Sequence, residues 1–178
     1  TISELIKRLS RMSNQHSSNL LAPELDNWQP DTINIVVNTP APFTNRVAEI
    51  FNHPALRRLK KAIALGWMRD IYPGATHDRW AHSIGVFSGL VSYYRALLAD
   101  PALPTLRILI DNSDLEHAFI AAMLHDLGQT TFGHDFEEAF PPLFSHEEIV
   151  LKLLNDDYFG KPTLGQILEK YWPGVEMG

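Results

Sequence analysis

One helical segment that is apolar on every side ends in two ionisable residues. Residues 118–124 read AFIAAML, and His125 and Asp126 follow directly. A helix without a polar face belongs at the centre of a helical bundle, because no side of it can face water at low cost. Burying an unpaired carboxylate is costly, so the pair at the end of this helix needs a partner. Either His125 caps the helix while Asp126 makes a local hydrogen bond, or both residues bind a metal ion.

The N-terminal part of the chain predicts a minor strand or hairpin. Residues 32–39 read TINIVVNT, and their alternation of apolar and polar side chains indicates a strand that Pro40 and Pro42 end. The helical pattern begins after this segment. We therefore divide the chain into residues 1–44, with a helix, a loop and a strand, and residues 45–178, a helical domain.

The second part of the chain carries several helix signals. Pro54 suits the first turn of a helix, and a long helix is predicted from about Trp80 to Leu98. The basic run at residues 57–61 is expected to form a solvated helix face. Two S-x-x-E capping boxes predict the starts of two further helices, Ser113 with Glu116 and Ser145 with Glu148. An all-α fold follows.

Composition excludes several classes of function. The chain has 178 residues, which suits one domain with a sizeable core. Its 15 Lys and Arg against 21 Asp and Glu give a net charge of −6, which argues against a general nucleic-acid-binding protein. The absence of cysteine excludes thiol nucleophiles and thiolate metal sites, and it fits the reducing cytoplasm. No apolar run approaches the length of a membrane span, so no membrane partner is expected.

Histidines are concentrated in the helical part of the chain. Six of the eight lie between His77 and His146, several of them at predicted helix ends that can face one cleft. Imidazole together with carboxylate suits Fe, Mn, Zn or Co, whereas Mg prefers carboxylates alone. His77 is expected to be structural because it follows a Pro-Gly turn. Three other histidines are expected at the surface, namely His16, His53 and His117.

Three segments resemble the motifs of one enzyme family. Residues 54–66 read PALRRLKKAIALG, residues 72–85 read YPGATHDRWAHSIG and residues 125–134 read HDLGQTTFGH. They are similar to P-x-F-Q-R-L-R-x-I-x-Q-L-G, Y-P-G-A-x-H-x-R-F-x-H-S-x-G and H-D-x-G-H-x-P-F-x-H in the HD-domain metal-dependent phosphohydrolases, in the branch of the deoxynucleoside-triphosphate triphosphohydrolases. The resemblance covers roughly residues 50–150. It implies an all-α HD-domain helical bundle.

The resemblance also implies an activity. The substrate would be a nucleotide, in this branch a dNTP, and the cofactor a divalent metal ion (Fe, Mn, Zn, Co or Mg). Water would attack the α-phosphorus and release the deoxynucleoside and inorganic triphosphate. A homo-oligomer or a larger assembly is expected. Neighbouring branches hydrolyse nucleoside monophosphates, cyclic dinucleotides or guanosine alarmones by similar metal chemistry.

Position by position, the resemblance assigns roles to individual residues. The implied metal ligands are His82, His125 and Asp126. The implied catalytic residues are His134, next to the phosphate bond that breaks, and Glu137, the acid paired with it. The implied substrate-binding residues are Arg79, which holds the triphosphate, and His146 and Gln129, near the phosphates.

The chain departs from the family pattern at three points. Gln129 stands where the branch has the second histidine of H-D-x-G-H, and Ala64 stands where it has the glutamine of Q-L-G. The branch's fourth metal ligand is an Asp in a D-R-x-D-Y-like segment, which does not occur before Gly178, so we expect the helical domain to continue further. These departures leave an alternative function, a non-catalytic HD module that binds nucleotide or protein within a larger assembly.

Overall fold

The structure, a computed structural model, describes residues 22–26, 32–33, 41–130 and 146–175. Helices dominate this part of the chain, and the all-α prediction is confirmed. The helices are α1 Pro23–Asp26, α2 Asn45–Asn52, α3 Pro54–Arg57, α4 Met68–Ile71, α5 Arg79–Ala99, α6 Leu106–Leu109, α7 Asn112–Leu124, α8 His146–Asn155 and α9 Leu164–Tyr171, with 3₁₀ turns at Arg58–Lys61 and Asp157–Phe159. Across the described ranges no helix combines the length and apolar composition needed to cross a bilayer.

The predicted hairpin near the N-terminus is present as a short antiparallel ladder. Strand β1 (Thr32–Ile33) pairs with β2 (Ala41–Pro42). Pro42, which is predicted with Pro40 to end the first strand, lies in the second strand. A two-stranded ladder consists only of edge strands, where proline is tolerated. Residues 34–40, with the rest of the predicted strand, lie outside the described residues.

Helices α5 and α7 form the centre of the bundle. The predicted helix from Trp80 to Leu98 is observed as α5, and Asp78 caps it by accepting a hydrogen bond of 2.7 Å from the Ala81 N–H. Phe87 of α5 and Phe119 of α7 meet edge to face with their ring centroids 5.6 Å apart, and both are fully buried. The apolar segment at residues 118–124 therefore lies in the core, as its composition predicts.

The predicted start of α7 is wrong in its details. The N-cap is Asp111, whose side chain accepts from the Asp114 N–H at 2.9 Å while Asp114 Oδ2 accepts from the Asp111 N–H at 3.1 Å. Ser113 and Glu116 instead bind the C-terminal segment: Ser113 Oγ donates to the Gly174 carbonyl at 2.7 Å, and Glu116 accepts from the Gly174 N–H at 3.2 Å. The two residues that the local pattern assigned to the cap therefore make a tertiary contact instead. The Ser145–Glu148 box lies outside the described side chains, although α8 begins at His146.

Arg46 joins four parts of the chain. Its guanidinium donates to both carboxylate oxygens of Glu24, at 2.9 and 2.7 Å, and Glu24 is fully buried. Arg46 also donates to Glu116 of α7, and its guanidinium carbon lies 3.8 Å from the centre of the Trp172 ring. The N-terminal segment, α2, α7 and the end of α9 therefore all contact one partly buried cation. The proposed division of the chain at residue 44 stays a prediction.

Candidate metal centre

Two helix ends bring three potential metal ligands together. His82 lies in the first turn of α5, His125 is the C-cap of α7 and Asp126 is the next residue. One ligand atom from each residue lies within 4.8 Å of the others, and the two imidazole ring centroids are 5.3 Å apart. The three residues that the resemblance implies as ligands thus lie at one point, between helices that are distant in sequence.

The imidazole of His125 is oriented by the backbone of its own helix. Its Nδ1 lies 3.0 Å from the Ala122 carbonyl oxygen. A carbonyl only accepts, so Nδ1 carries the hydrogen in this contact and Nε2 keeps its lone pair. Nε2 lies on the side of Asp126, 3.6 Å from Oδ1. Histidines that bind metals use this arrangement, with one ring nitrogen donating to a carbonyl and the other free to coordinate.

Asp126 is buried, and Arg79 is its charge partner. Arg79 Nη1 donates to Asp126 Oδ2 at 2.8 Å, and both side chains are more than nine-tenths buried. Oδ1 is the oxygen nearer His125. The guanidinium therefore holds the carboxylate by one oxygen and leaves the other on the side of the histidines. Asp78, the acid next to Arg79 in sequence, caps α5 instead.

The surroundings of His82 disfavour its protonated form. Burial is the main cause that lowers its pKa below the usual value, and the neighbouring His125, His77 and Arg79 act in the same direction. The charge of Asp126 opposes them by raising the pKa. A histidine coordinates a metal only as neutral imidazole, so a lowered pKa keeps the lone pair available at neutral pH.

The donor set fits a divalent transition metal. Two imidazole nitrogens and one carboxylate oxygen suit Fe, Mn, Zn or Co better than Mg, which prefers oxygen alone. Three ligands from the part of the chain that the structure describes leave coordination positions for water, substrate or a further ligand. His77 lies at the edge of this group, with its ring centroid 6.5 Å from that of His82.

Of the other predicted site residues, only some lie in the part of the chain that the structure describes. Gln129 lies in the turn that follows Asp126 and is 1% exposed. His134 and Glu137 lie outside the described residues. His146 begins α8, but its side chain is outside the described part of the chain. The proposed roles of these four residues stay predictions.

Sequence analysis missed one residue next to the site. Arg58 lies in the basic run predicted to be a solvated face, yet it is half-buried and donates to the carbonyl of Gln129 at 3.1 Å and to that of Leu127. Its neighbour Arg57 is exposed, as predicted. The motif does separate the two arginines, because Arg58 matches the arginine of Q-R-L-R and Arg57 stands where that motif has glutamine. Adjacent residues of a helix point in different directions, so Arg58 can face the turn after α7 while Arg57 faces solvent.

Comparison with known proteins defines the class of this chain. Residues 79–169, which include His82, His125 and Asp126, match the family model of the HD domain. The chain belongs to the HD-domain family of phosphohydrolases. The resemblance inferred from the motifs is confirmed.

Individual relatives place the chain near one branch of this family. It is 35% identical over 107 residues to deoxynucleoside triphosphate triphosphohydrolase SAMHD1 of Xenopus laevis, a match that covers 57% of this chain and 16% of the relative. The SAMHD1 homolog of Dictyostelium discoideum is 30% identical over 130 residues, covering 69% of this chain and 24% of the relative. The crystal structure of a phosphohydrolase from Bacteroides thetaiotaomicron superposes with a TM-score of 0.59 at 31% identity, covering 70% of this chain and 30% of that one. The chain spans less than a third of each of these proteins.

Proposed function

We propose that this chain is the HD domain of a metal-dependent nucleotide phosphohydrolase. The observation that supports this proposal is the convergence of His82, His125 and Asp126 within 4.8 Å, with the buried Arg79 against the carboxylate. A buried carboxylate and two partly accessible imidazoles at facing helix ends provide the ligands for one divalent ion. The proposed ligands are these three residues.

The proposed substrate is a deoxynucleoside triphosphate. Support comes from the similarity to deoxynucleoside triphosphate triphosphohydrolases. The proposed reaction is attack of water on the α-phosphorus with cleavage of its bond to the 5′ oxygen. The 5′ oxygen takes up a proton and leaves as the deoxynucleoside, and the other product is inorganic triphosphate.

The proposed roles of the residues follow from their chemistry. A bound divalent ion would polarise a phosphoryl oxygen and lower the pKa of a coordinated water. Arg79 fixes Asp126 through one nitrogen, and the rest of its planar guanidinium has the shape that grips phosphate oxygens in pairs. His134, supported by Glu137, is proposed to donate the proton to the 5′ oxygen. His146 and Gln129 are proposed to line the phosphate pocket.

A non-catalytic HD module is the second candidate function. It is favoured by Gln129, which occupies the position of a histidine in the family motif and is buried beside the candidate site. A glutamine cannot transfer a proton at neutral pH. If His134 does not supply that proton either, the site would bind nucleotide without hydrolysing it.

One experiment separates the two candidates. The full-length protein is incubated with each dNTP in Mn²⁺ or Mg²⁺, and the products are scored for triphosphate, pyrophosphate and phosphate. We expect deoxynucleoside and triphosphate in Mn²⁺, and none in the matched variant His125→Ala. Nucleotide binding without hydrolysis in any metal would contradict the enzyme and support the module.

Two variants test the proposed substrate contacts. His134→Ala should lower turnover by about 10²–10⁴-fold with little change in nucleotide affinity, because a positioned acid acts on the transition state. Arg79→Lys should weaken nucleotide binding, because an ammonium group cannot grip two oxygens of a phosphate at once. If both variants keep the turnover and affinity of wild type, neither residue contacts the substrate. Arg79 would then serve only as the partner of Asp126.

Self-association and the cellular compartment also stay proposals. The feature that supports a homo-oligomer is the apolar segment at residues 65–72, where Trp67 is 62% exposed, Ile71 68% and Tyr72 58%. Such a concentration of exposed apolar side chains is uncommon on a monomer. The feature that favours the cytoplasm is the absence of cysteine, which suits a reducing compartment without requiring one.

A further inference from the structure

We infer that Arg58 is a positioning residue for the metal centre, because it holds the turn that carries His125 and Asp126 at a set distance from the helix end that carries His82. This inference rests on the proposed metal site. It goes beyond that site because Arg58 contributes no ligand atom and approaches the site only through backbone carbonyls.

The first contact is between Arg58 and the turn after α7. Guanidinium Nη1 donates to the Gln129 carbonyl at 3.1 Å, and Nη2 donates to the carbonyl of Leu127. The backbone continues in tight turns here, with Leu127 N–H bound to Leu124 O at 2.8 Å and Gln129 N–H bound to Asp126 O at 3.0 Å. One side chain therefore holds two carbonyls on the residues directly beyond the proposed ligands. Hydrogen bonds from a charged donor are stronger than those between neutral groups.

The second contact is between the segment that carries Arg58 and the start of α5. Arg79 N–H donates to Ala62 O at 2.8 Å, Ala64 N–H donates to His77 O at 3.1 Å, and Ile63 forms an antiparallel bridge with Asp78. Residues 58–64 therefore bind the turn after α7 through a side chain and the start of α5 through the backbone. They form a clamp between the two helix ends that supply the ligands.

The expected consequence is a loss of metal affinity without a loss of ligands. In Arg58→Met the two carbonyls lose their donors, and the turn can shift relative to His82. Removing a residue that orients metal ligands typically costs about 10–100-fold in metal affinity. The loss stays partial because Leu127 is fully buried and anchors the turn by packing. In Arg58→Lys, one ammonium group reaches one carbonyl at a time, so the loss should be intermediate.

The test uses the full-length protein and Mn²⁺ binding measured by isothermal titration calorimetry. Arg57→Met is the matched control, because it removes an exposed arginine one position earlier. Arg46→Met is the second control, because it removes a partly buried structural arginine whose contacts are Glu24, Glu116 and the end of α9. We expect weaker Mn²⁺ binding only in the Arg58 variants. Arg46→Met should lower stability and keep the affinity.

A second measurement does not depend on metal. Amide hydrogen exchange without Mn²⁺ should become faster at residues 125–129 in the Arg58 variants and stay unchanged there in Arg57→Met. Exchange and Mn²⁺ affinity equal to wild type in Arg58→Met would overturn the inference and leave the metal site standing. So would an equal loss of affinity in Arg46→Met, because it would show a general effect of stability. Wild-type protein that binds no Mn²⁺ would instead contradict the proposed function, and the metal half of the inference would fall with it.

Discussion

His125 and Asp126 are adjacent in sequence and differ in what holds them. The side chain of His125 is 36% exposed and touches the backbone of its own helix, whereas that of Asp126 is 6% exposed and paired with Arg79. Adjacent residues at a helix end point in different directions, so one can face solvent while the other faces the core. The two residues therefore serve the same proposed site with unequal importance for the fold.

The first prediction concerns these two residues. Both His125→Ala and Asp126→Ala should abolish Mn²⁺ binding, because each removes a proposed ligand. Only Asp126→Ala should unfold the protein readily, because it leaves the buried Arg79 without a counter-charge, a loss of about 3–5 kcal/mol in the free energy of unfolding. Calorimetry for metal and urea denaturation for stability measure the two effects. Full metal binding in both variants would refute the ligand assignment.

The position of His53 differs from the one expected from the sequence. It is expected at the surface from sequence, and it is 6% exposed. Its Nδ1 accepts from the Ala55 N–H at 3.3 Å and so caps α3, while Nε2 donates to the Pro162 carbonyl at 3.3 Å. The neutral ring uses both nitrogens. Burial lowers the pKa of His53, and the bond to Pro162 opposes that shift.

The second prediction follows from the pKa of His53. Because the pKa is lower in the folded state, the unfolded chain takes up the proton first as the pH falls. The contribution of His53 to stability is therefore present above about pH 6.5 and is lost as the pH falls below it. His53→Asn should keep the cap and reduce the slope of unfolding free energy against pH, measured by urea denaturation from about pH 7.5 to 5.5. If His53→Asn keeps the wild-type slope of unfolding free energy against pH, the pH dependence belongs to other groups.

At the scale of helices, the start of α7 depends on Asp111 and not on Ser113. The third prediction is that Asp111→Ala lowers the free energy of unfolding by about 0.5–2 kcal/mol, because the Asp114 N–H loses its acceptor. Asp111→Asn should be close to wild type, since asparagine caps equally well. Urea denaturation compares the two variants. Equal stability of Asp111→Ala and Asp111→Asn would contradict the assignment of the cap.

The packing of helices around Arg46 gives the fourth prediction. Arg46→Met should lower the free energy of unfolding by about 3–5 kcal/mol, because the fully buried Glu24 loses both guanidinium bonds. The control Arg57→Met, at an exposed position, should stay within about 0.5 kcal/mol of wild type. Denaturation in urea measures both. A decrease in the free energy of unfolding below about 1 kcal/mol in Arg46→Met would contradict this prediction. Apolar packing against Trp172 would then be sufficient to hold these segments together.

At the scale of the whole molecule, residues 65–72 expose several large apolar side chains and belong to a loop that two backbone hydrogen bonds close. The Ala64 N–H donates to the His77 carbonyl, and the Arg79 N–H donates to the Ala62 carbonyl. The segment is therefore anchored at its base and exposed along its length. This geometry suits a surface that another subunit covers.

The fifth prediction tests that surface in solution. Ile71→Ser should shift the sedimentation coefficient of the full-length protein towards a smaller species, because burial of this 68%-exposed side chain would otherwise favour association. Tyr158→Ser is the matched control, because Tyr158 is 83% exposed at a different place in the chain. Sedimentation equal to wild type in Ile71→Ser, or an equal shift in the control, would contradict a subunit contact at residues 65–72.

The sequence alone determined the elements that depend on local hydrophobic pattern. The apolar run at residues 118–124 can be stable only in a core, so the central position of α7 and the placement of His125 and Asp126 at its end follow from composition. The long helix α5 follows in the same way from its periodicity. The choice of candidate ligands came from the motifs, which list residue types in order and need no coordinates.

Tertiary structure alone decided which partner each polar group has. Glu116 fits a capping box by spacing, yet it binds Arg46 and Gly174 because the C-terminal segment folds back on α7. Arg57 and Arg58 belong to one basic run, and only the fold shows that Arg58 reaches the carbonyls beside the site while Arg57 is exposed. The local hydrophobic pattern of the sequence indicates which residues prefer burial. The partner of a buried charge depends on residues far away in the chain, because a carboxylate is stabilised by whichever cation the fold brings within reach.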